Sequence, residues 1–143
     1  MTALFDPIRG YANWALRLPF AGIFLLNGWQ KFSQWPAFPE MMSGGGEATL
    51  IGSVIAGLVL FAEVAAGIGI IAGIFLGSTI TRLSGLAIIP VMIGALVLVH
   101  LPAGFDNLSL DASGIGLPSW EFNVTMLAVA LFFLISGNTD SEA

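Results

Sequence analysis

Glu63 lies in the middle of LVLFAEVAAGIG, the apolar run Leu58–Gly69, and no other formal charge occurs between Glu47 and Arg82. An acidic side chain at the centre of a membrane helix costs about 2.5–3.5 kcal/mol on insertion scales, so such a residue normally faces the inside of a bundle and finds a partner. Two kinds of chemistry fit it: a buried ion pair that fixes how helices pack, or a carboxylate that accepts and returns a proton. Arg17, in the preceding apolar run, is the expected partner, turned inward by Pro19. Taken by itself, Arg17 could equally reach the near interface, with its stem in apolar surroundings and its head in water.

The other chemistry-bearing side chains gather at one depth. In NGWQKF, Asn27 and Lys31 are one helical turn apart, and Lys31 falls fourteen residues after Arg17, which returns it to nearly the same helix face. A lysine at a helix C-terminus also complements the dipole and reaches water, so Lys31 has a purely structural reading as well. His100, in VLVHLPAGF, ends an apolar run just before Pro102. It is either an interfacial residue favoured by the helix dipole or a proton donor and acceptor near neutral pH. Glu121, in PSWEFN, stands in a first helical turn that Ser119 would cap, where the dipole alone favours a carboxylate. If successive helices run antiparallel, Lys31, His100 and Glu121 arrive at the same end, with Asn27 and Asn123 beside them and Glu63 beneath. That convergence points to a polar pocket that handles a ligand or a proton. No residue is assigned as catalytic.

The elements that would position these groups follow from composition. Of 143 residues, 57% are hydrophobic and 9% charged, with a mean hydropathy of +0.93, too little charge to cover a soluble domain of this size. Four apolar stretches are visible, Tyr11–Phe32, Leu50–Gly77, Leu83–Leu101 and Phe122–Ser136, set against the ~20 residues a helix needs to cross the hydrocarbon core. They lack the period-two alternation of barrel strands, and in lipid only helices or closed barrels satisfy the backbone. The expected fold is all-α: an integral membrane, antiparallel four-transmembrane-helix bundle. It forms one domain over 1–143, with helices at about 8–33, 49–77, 82–101 and 120–137. The first run leads into KFSQWPAF without a small-x-small cleavage site, so it reads as a retained helix.

Basic residues set the orientation. Arg9 and Arg82 fall on the side of both termini, with Arg17 a little way in, whereas the opposite side has Lys31 with Glu40, Glu47, Asp106, Asp111 and Glu121. Both termini are therefore expected in the cytoplasm of a bacterial-type inner membrane. The cytoplasmic link GSTITR is short, and the outer links are long and rich in Pro, Gly, Asn and Asp. Trp29, Trp35, Phe38, Phe105 and Trp120 crowd the outer face and read chiefly as an interfacial aromatic belt. The second long helix carries Ala65, Gly69, Gly73 and Gly77 at four-residue spacing, a ridge that admits a close neighbour, while Glu63 points elsewhere. Pro19 and Pro90 are expected to kink their helices and free carbonyls. Cysteine is absent and histidine occurs once, which excludes thiolate chemistry, iron–sulfur clusters and a bis-histidine haem held by one chain. No metal ligands are assigned, and a net charge of −5 argues against nucleic acid as a partner.

The stretches LRLPFAGIFLLNGWQKF, AEVAAGIGIIAGIF, TRLSGLAIIPVMIGALVLVHLPAGF and WEFNVTMLAVALFFLISG, in this order over about residues 12–137, resemble the DoxX family of small four-helix membrane proteins. The resemblance carries over Arg17, Lys31, Glu63, His100 and Glu121, with Asn27 beside them. It implies a link to membrane redox systems: relatives include the membrane subunit associated with thiosulfate:quinone oxidoreductase, and others associate with oxidative-stress enzymes. A quinone is the cofactor this implies, with no group covalently bound, and the implied partners are the bilayer and other membrane subunits or redox proteins. The leading expectation is a quinone-linked redox subunit, in which His100, Glu121, Lys31 and Asn27 bond the carbonyls and Glu63 relays a proton. A non-catalytic subunit of a larger respiratory or photosynthetic membrane complex is the alternative. A small-solute or proton transporter is a third, for which no inverted repeat is visible. Whether the chain is itself an enzyme is left open.

Overall fold

A computed structural model of the chain describes residues 9–103 and 120–138. Phe105, Asp106, Asp111 and the expected cap Ser119 lie outside the described residues. Regular structure within them is helical: α1 Arg9–Ser33, α2 Ala37–Met42, α3 Leu50–Leu76 and α4 Ser78–Ala95. A π-helical segment Leu96–His100 continues α4 into the short turn α5, Leu101–Ala103, and α6 runs over Trp120–Ser136. Of these, Leu50–Leu76 and Ser78–His100 are long and apolar enough to cross a membrane, and α6 is apolar but shorter.

Two elements differ from the sequence expectation. The first outer link contains α2, which its prolines hid. Pro36 stands at the N-cap and Pro39 in the first turn, where a missing N–H costs nothing because those groups have no helical partner. The helix stops at Ser43, and Gly44 and Gly45 follow with φ of 91° and 85°. In addition, α4 begins at Ser78 and not near residue 82, so Gly77, with φ of 106°, is the sole joint between α3 and α4. Serine and threonine look loop-like in GSTITR, but next to a glycine stop they start a helix readily.

The start of α3 is stitched to α2. Thr49 caps α3 by accepting the Gly52 N–H at 3.0 Å, and its own N–H donates to the Ser43 hydroxyl at 2.9 Å. Ser43 in turn donates to the Pro39 carbonyl at 2.8 Å, and Gly52 is buried against both residues with no room for a Cβ.

Consecutive long helices run antiparallel. Gly28 meets Val64 while Gly67 meets Leu25 across α1 and α3; Gly69 meets Ser84 while Gly73 meets Thr81 across α3 and α4; Gly85 lies on Ala130 and Leu134 of α6. The core between them is Phe20 and Phe24 from α1, Ala66 and Ile70 from α3, Ile88 and Met92 from α4, and Ala130 and Phe133 from α6. The Phe20 ring stands 4.6 Å from that of Phe24 and 5.3 Å from that of Phe133. The outward face is as apolar as the core, with Leu50 82% and Phe75 78% exposed, which suits a surrounding phase of hydrocarbon. Pro19 and Pro90 both lie within their helices and are exposed on this face.

The glycine ridge of α3 makes a direct test. A methyl group on Gly73 would press on the Thr81 side chain and backbone, whereas one on Gly57 meets open space. Gly73→Ala is expected to destabilise by about 1–3 kcal/mol through overpacking, and Gly57→Ala to be neutral or stabilising by up to ~1 kcal/mol. Thermal unfolding of the two variants in the same detergent measures the contrast.

Candidate functional site

At the end of the bundle where α1 stops and α2 folds back, a cavity of about 330 Å³ opens between α1, α2, α3, α4 and α6, a size typical of small-molecule sites. Its polar lining is Asn27 and Lys31 from α1, Glu63 from α3, His100 from the π segment and Asn123 from α6. The rest is apolar, with Phe38, Met41 and Met42 of α2 forming one wall and Ile55 and Val59 of α3 another.

The carboxylate of Glu63 is 2% exposed, and Lys31 Nζ donates to both of its oxygens at 2.8 Å. The expected Arg17–Glu63 pair is therefore replaced by Lys31–Glu63. The reason is register: contacts of Gly28 with Val64 and of Leu25 with Gly67 place Glu63 opposite the last turns of α1, while Arg17, fourteen residues earlier, stands about 20 Å away along the helix. Lys31 is partly exposed, at 24%, and lies 5.6 Å from the centre of the Phe38 ring, close enough for a cation–π contribution. Its ammonium has three N–H groups, and among the described residues Glu63 is its hydrogen-bond partner. Asn27 lines the same space. Among the described residues no hydrogen bond engages its amide, which leaves a donor and an acceptor directed at the cavity.

Across the cavity, Asn123 Nδ2 donates to His100 Nε2 at 2.7 Å. That arrangement belongs to the neutral ring with its proton on Nδ1, and a flip of the amide would serve the protonated ring. The π segment carries His100 there: the Leu101 N–H bonds the Leu96 carbonyl, five residues back, and such turns recur at functional sites. Glu121 is exposed and is absent from the cavity lining. Two helical residues later, on the opposite side of α6, Asn123 is buried and occupies the place expected of Glu121. Sequence reasoning put Asn123 at the right depth but gave the role to the carboxylate; the half-turn offset between them was the signal that separates the two.

Arg17 anchors a different site. It is 1% exposed and bonds Asn13 Oδ1 at 3.1 Å, the Ile70 carbonyl, Thr81 Oγ1 at 3.1 Å, the Gly137 carbonyl and Asn138 Oδ1 at 2.6 Å. Those acceptors match the five N–H groups of a guanidinium, and the group also lies 5.3 Å from the Phe133 ring centre. Asn138 completes the cluster by accepting from Thr81 at 2.7 Å and donating to the Gly73 carbonyl at 2.7 Å. All four long helices are thus joined at this end, a role for Asn138 that its position just past the last apolar run did not disclose.

Removing one partner of a buried ion pair strands the other, whereas removing both does not. Lys31→Met is expected to lower stability by about 3 kcal/mol, Glu63→Met by less because the lysine can turn to water, and the two together to recover most of the loss. Denaturation midpoints of the four proteins check this; additive losses would show that the pair is not coupled.

No curated protein and no solved structure matches the chain. A family model, DoxX, matches residues 12–101, the stretch from α1 through the π segment that supplies Asn27, Lys31, Glu63 and His100. With that match over most of its length and an apolar surface to suit, the chain belongs to the DoxX family and is a membrane protein.

Proposed function

We propose that the chain is a multi-pass subunit of a quinone-linked redox system in a bacterial-type inner membrane, and that its cavity binds the quinone head group. In this reading α1, α3, α4 with its π segment, and α6 each cross the bilayer, and Arg9 and Arg82 hold the termini on the cytoplasmic side. The observation that carries the proposal is the pairing of two polar stations in one apolar cavity, Lys31 with Asn27 and His100 with Asn123. A quinone is a flat apolar ring with two carbonyl acceptors on opposite sides. The Lys31 ammonium and the Asn27 amide offer donors at one station, and the imidazole or the amide of Asn123 offers one at the other. Apolar side chains of α2 and α3 cover the ring. Reduction to the quinol takes up two electrons and two protons, and His100 and the Lys31–Glu63 pair are the groups placed to exchange protons with the oxygens. The chain has no cysteine and one histidine, so a partner redox protein or a soluble reductant is proposed as the electron donor.

Gentle extraction followed by quinone analysis tests this. The wild type is expected to retain bound quinone, and His100→Ala and Asn27→Leu each to weaken its binding about tenfold, the worth of one hydrogen bond to the ligand. Full retention in both variants and in Glu63→Gln would show that the site is wrongly assigned.

A further inference from the structure

The cavity is graded from a polar interior to an apolar mouth. Its polar lining residues are buried or half-buried, whereas its exposed ones, Met41 at 46%, Ile55 at 38%, Leu98 at 67% and the adjoining Pro90, are all apolar. A site filled from water would have the opposite gradient, because exposed apolar rims resist wetting and leave polar ligands unsolvated on the way in. The exposed rim is made by Ile55 of α3, Pro90 of α4 and Leu98 of the π segment, with Met41 of α2 beside them; α3, and α4 with its π segment, are the two helices long and apolar enough to cross a membrane. These helices are held together at their other ends, where Gly69 and Gly73 rest on Ser84 and Thr81, and the cavity separates Val59 and Ile55 from Gly94 and Leu98. Gly94 lines that gap, and a side chain built on it would meet nothing within 4 Å. Glycine in the interior of a helix is unfavourable by about 1 kcal/mol against alanine, so its use where the protein leaves space fits a ligand lying against bare backbone.

We infer that the ligand is tailed: its hydrocarbon chain leaves the cavity between Ile55 and Leu98, across Gly94, directly into the apolar phase of the bilayer. This rests on the quinone reading of the cavity and adds to it a tail subsite and a sideways route. Gly94 is the residue that sets how thick a chain can pass. The sideways route lets a lipid-soluble quinone and its quinol exchange without either crossing water.

Two measurements test it. The first compares, in nanodiscs, binding of two benzoquinones with the same head group, one bearing a decyl chain and one without. Gly94→Leu is expected to weaken the tailed quinone about tenfold more than the tail-less one, since the added side chain displaces a few methylenes. Gly94→Ala, which favours the helix, should show the same order with a smaller effect. The second uses the absence of native cysteine: a nitroxide on Leu98→Cys should collide with oxygen far more than with a water-soluble nickel chelate. If neither quinone binds the wild type, the head-group reading fails and the inference falls with it. If both bind but Gly94→Leu weakens them equally, or the label meets the nickel chelate, the head-group reading stands and the lateral tail path is overturned.

Discussion

Placing the carboxylate of Glu63 inside an apolar bundle is the constraint from which the layout follows. An ion stripped of water costs several kcal/mol unless an opposite charge with good geometry replaces the lost solvation. Lys31 is that charge, and it stands near the end of α1, whereas Glu63 stands midway along α3. Tying an end to a middle offsets the two helices, so the first turns of α3 run on beyond α1. That projecting surface is what α2 folds back to cover, fastened by Thr49, Ser43 and the close seat of Gly52. The cavity is the space that remains where α2, only six residues long, does not fill the step. One ion pair thereby sets a register, the register sets an overhang, and the overhang makes a site.

The opposite end shows what the bundle does when nothing has to be accommodated. There glycines meet serine, threonine and backbone, helices approach closely, and the Arg17 cluster joins all four with hydrogen bonds. Such bonds are strong in low dielectric and costly to leave unmade, so this end resists separation. Arg17 and Lys31 of α1 therefore do different work. Arg17, a planar fork with five donors, suits a fixed set of carbonyl and amide oxygens; Lys31, a flexible point charge, suits a carboxylate beside an open space. The same helices thus have a closed end, where side chains and backbone meet directly, and an open end, where paired polar side chains line a cavity.

Much of this was legible in the sequence, and the failures share one physical origin. Long helices announce themselves by hydropathy, and the isolation of Glu63 among apolar residues marks it as a partnered group. Depth along antiparallel helices is likewise enough to bring Lys31, Asn27 and His100 to one level. What depth does not reveal is relative register. Arg17 fits as the partner of Glu63 only if α1 and α3 are level, and the offset between them is covered by α2, whose Pro36 and Pro39 read as loop residues. Azimuth was the second gap. Glu121 and Asn123 share a depth but face opposite ways, and only the packing of Gly85 against Ala130 turns Asn123 toward His100. The π segment was the third, since a five-residue hydrogen-bond span leaves no trace in the hydropathy of LVLVH.

The stretch matching the family model ends at residue 101, and the site divides at that boundary. Before it lie the ion pair, the Asn27 amide, the imidazole of His100 and the whole of α2; after it, α6 contributes Asn123 and Phe122 to the cavity, and Gly137 and Asn138 just past its end join the Arg17 cluster. The matched stretch thus contains every charged or titratable group that lines the cavity, while α6 contributes neutral partners that orient them. The Asn123 amide engages Nε2 of His100, which leaves Nδ1 as the ring nitrogen open to another partner. Asn123 therefore orients the His100 ring without exchanging a proton itself. Gly137 and Asn138, which directly follow α6, close the Arg17 end, so one stretch of chain reaches both ends of the bundle.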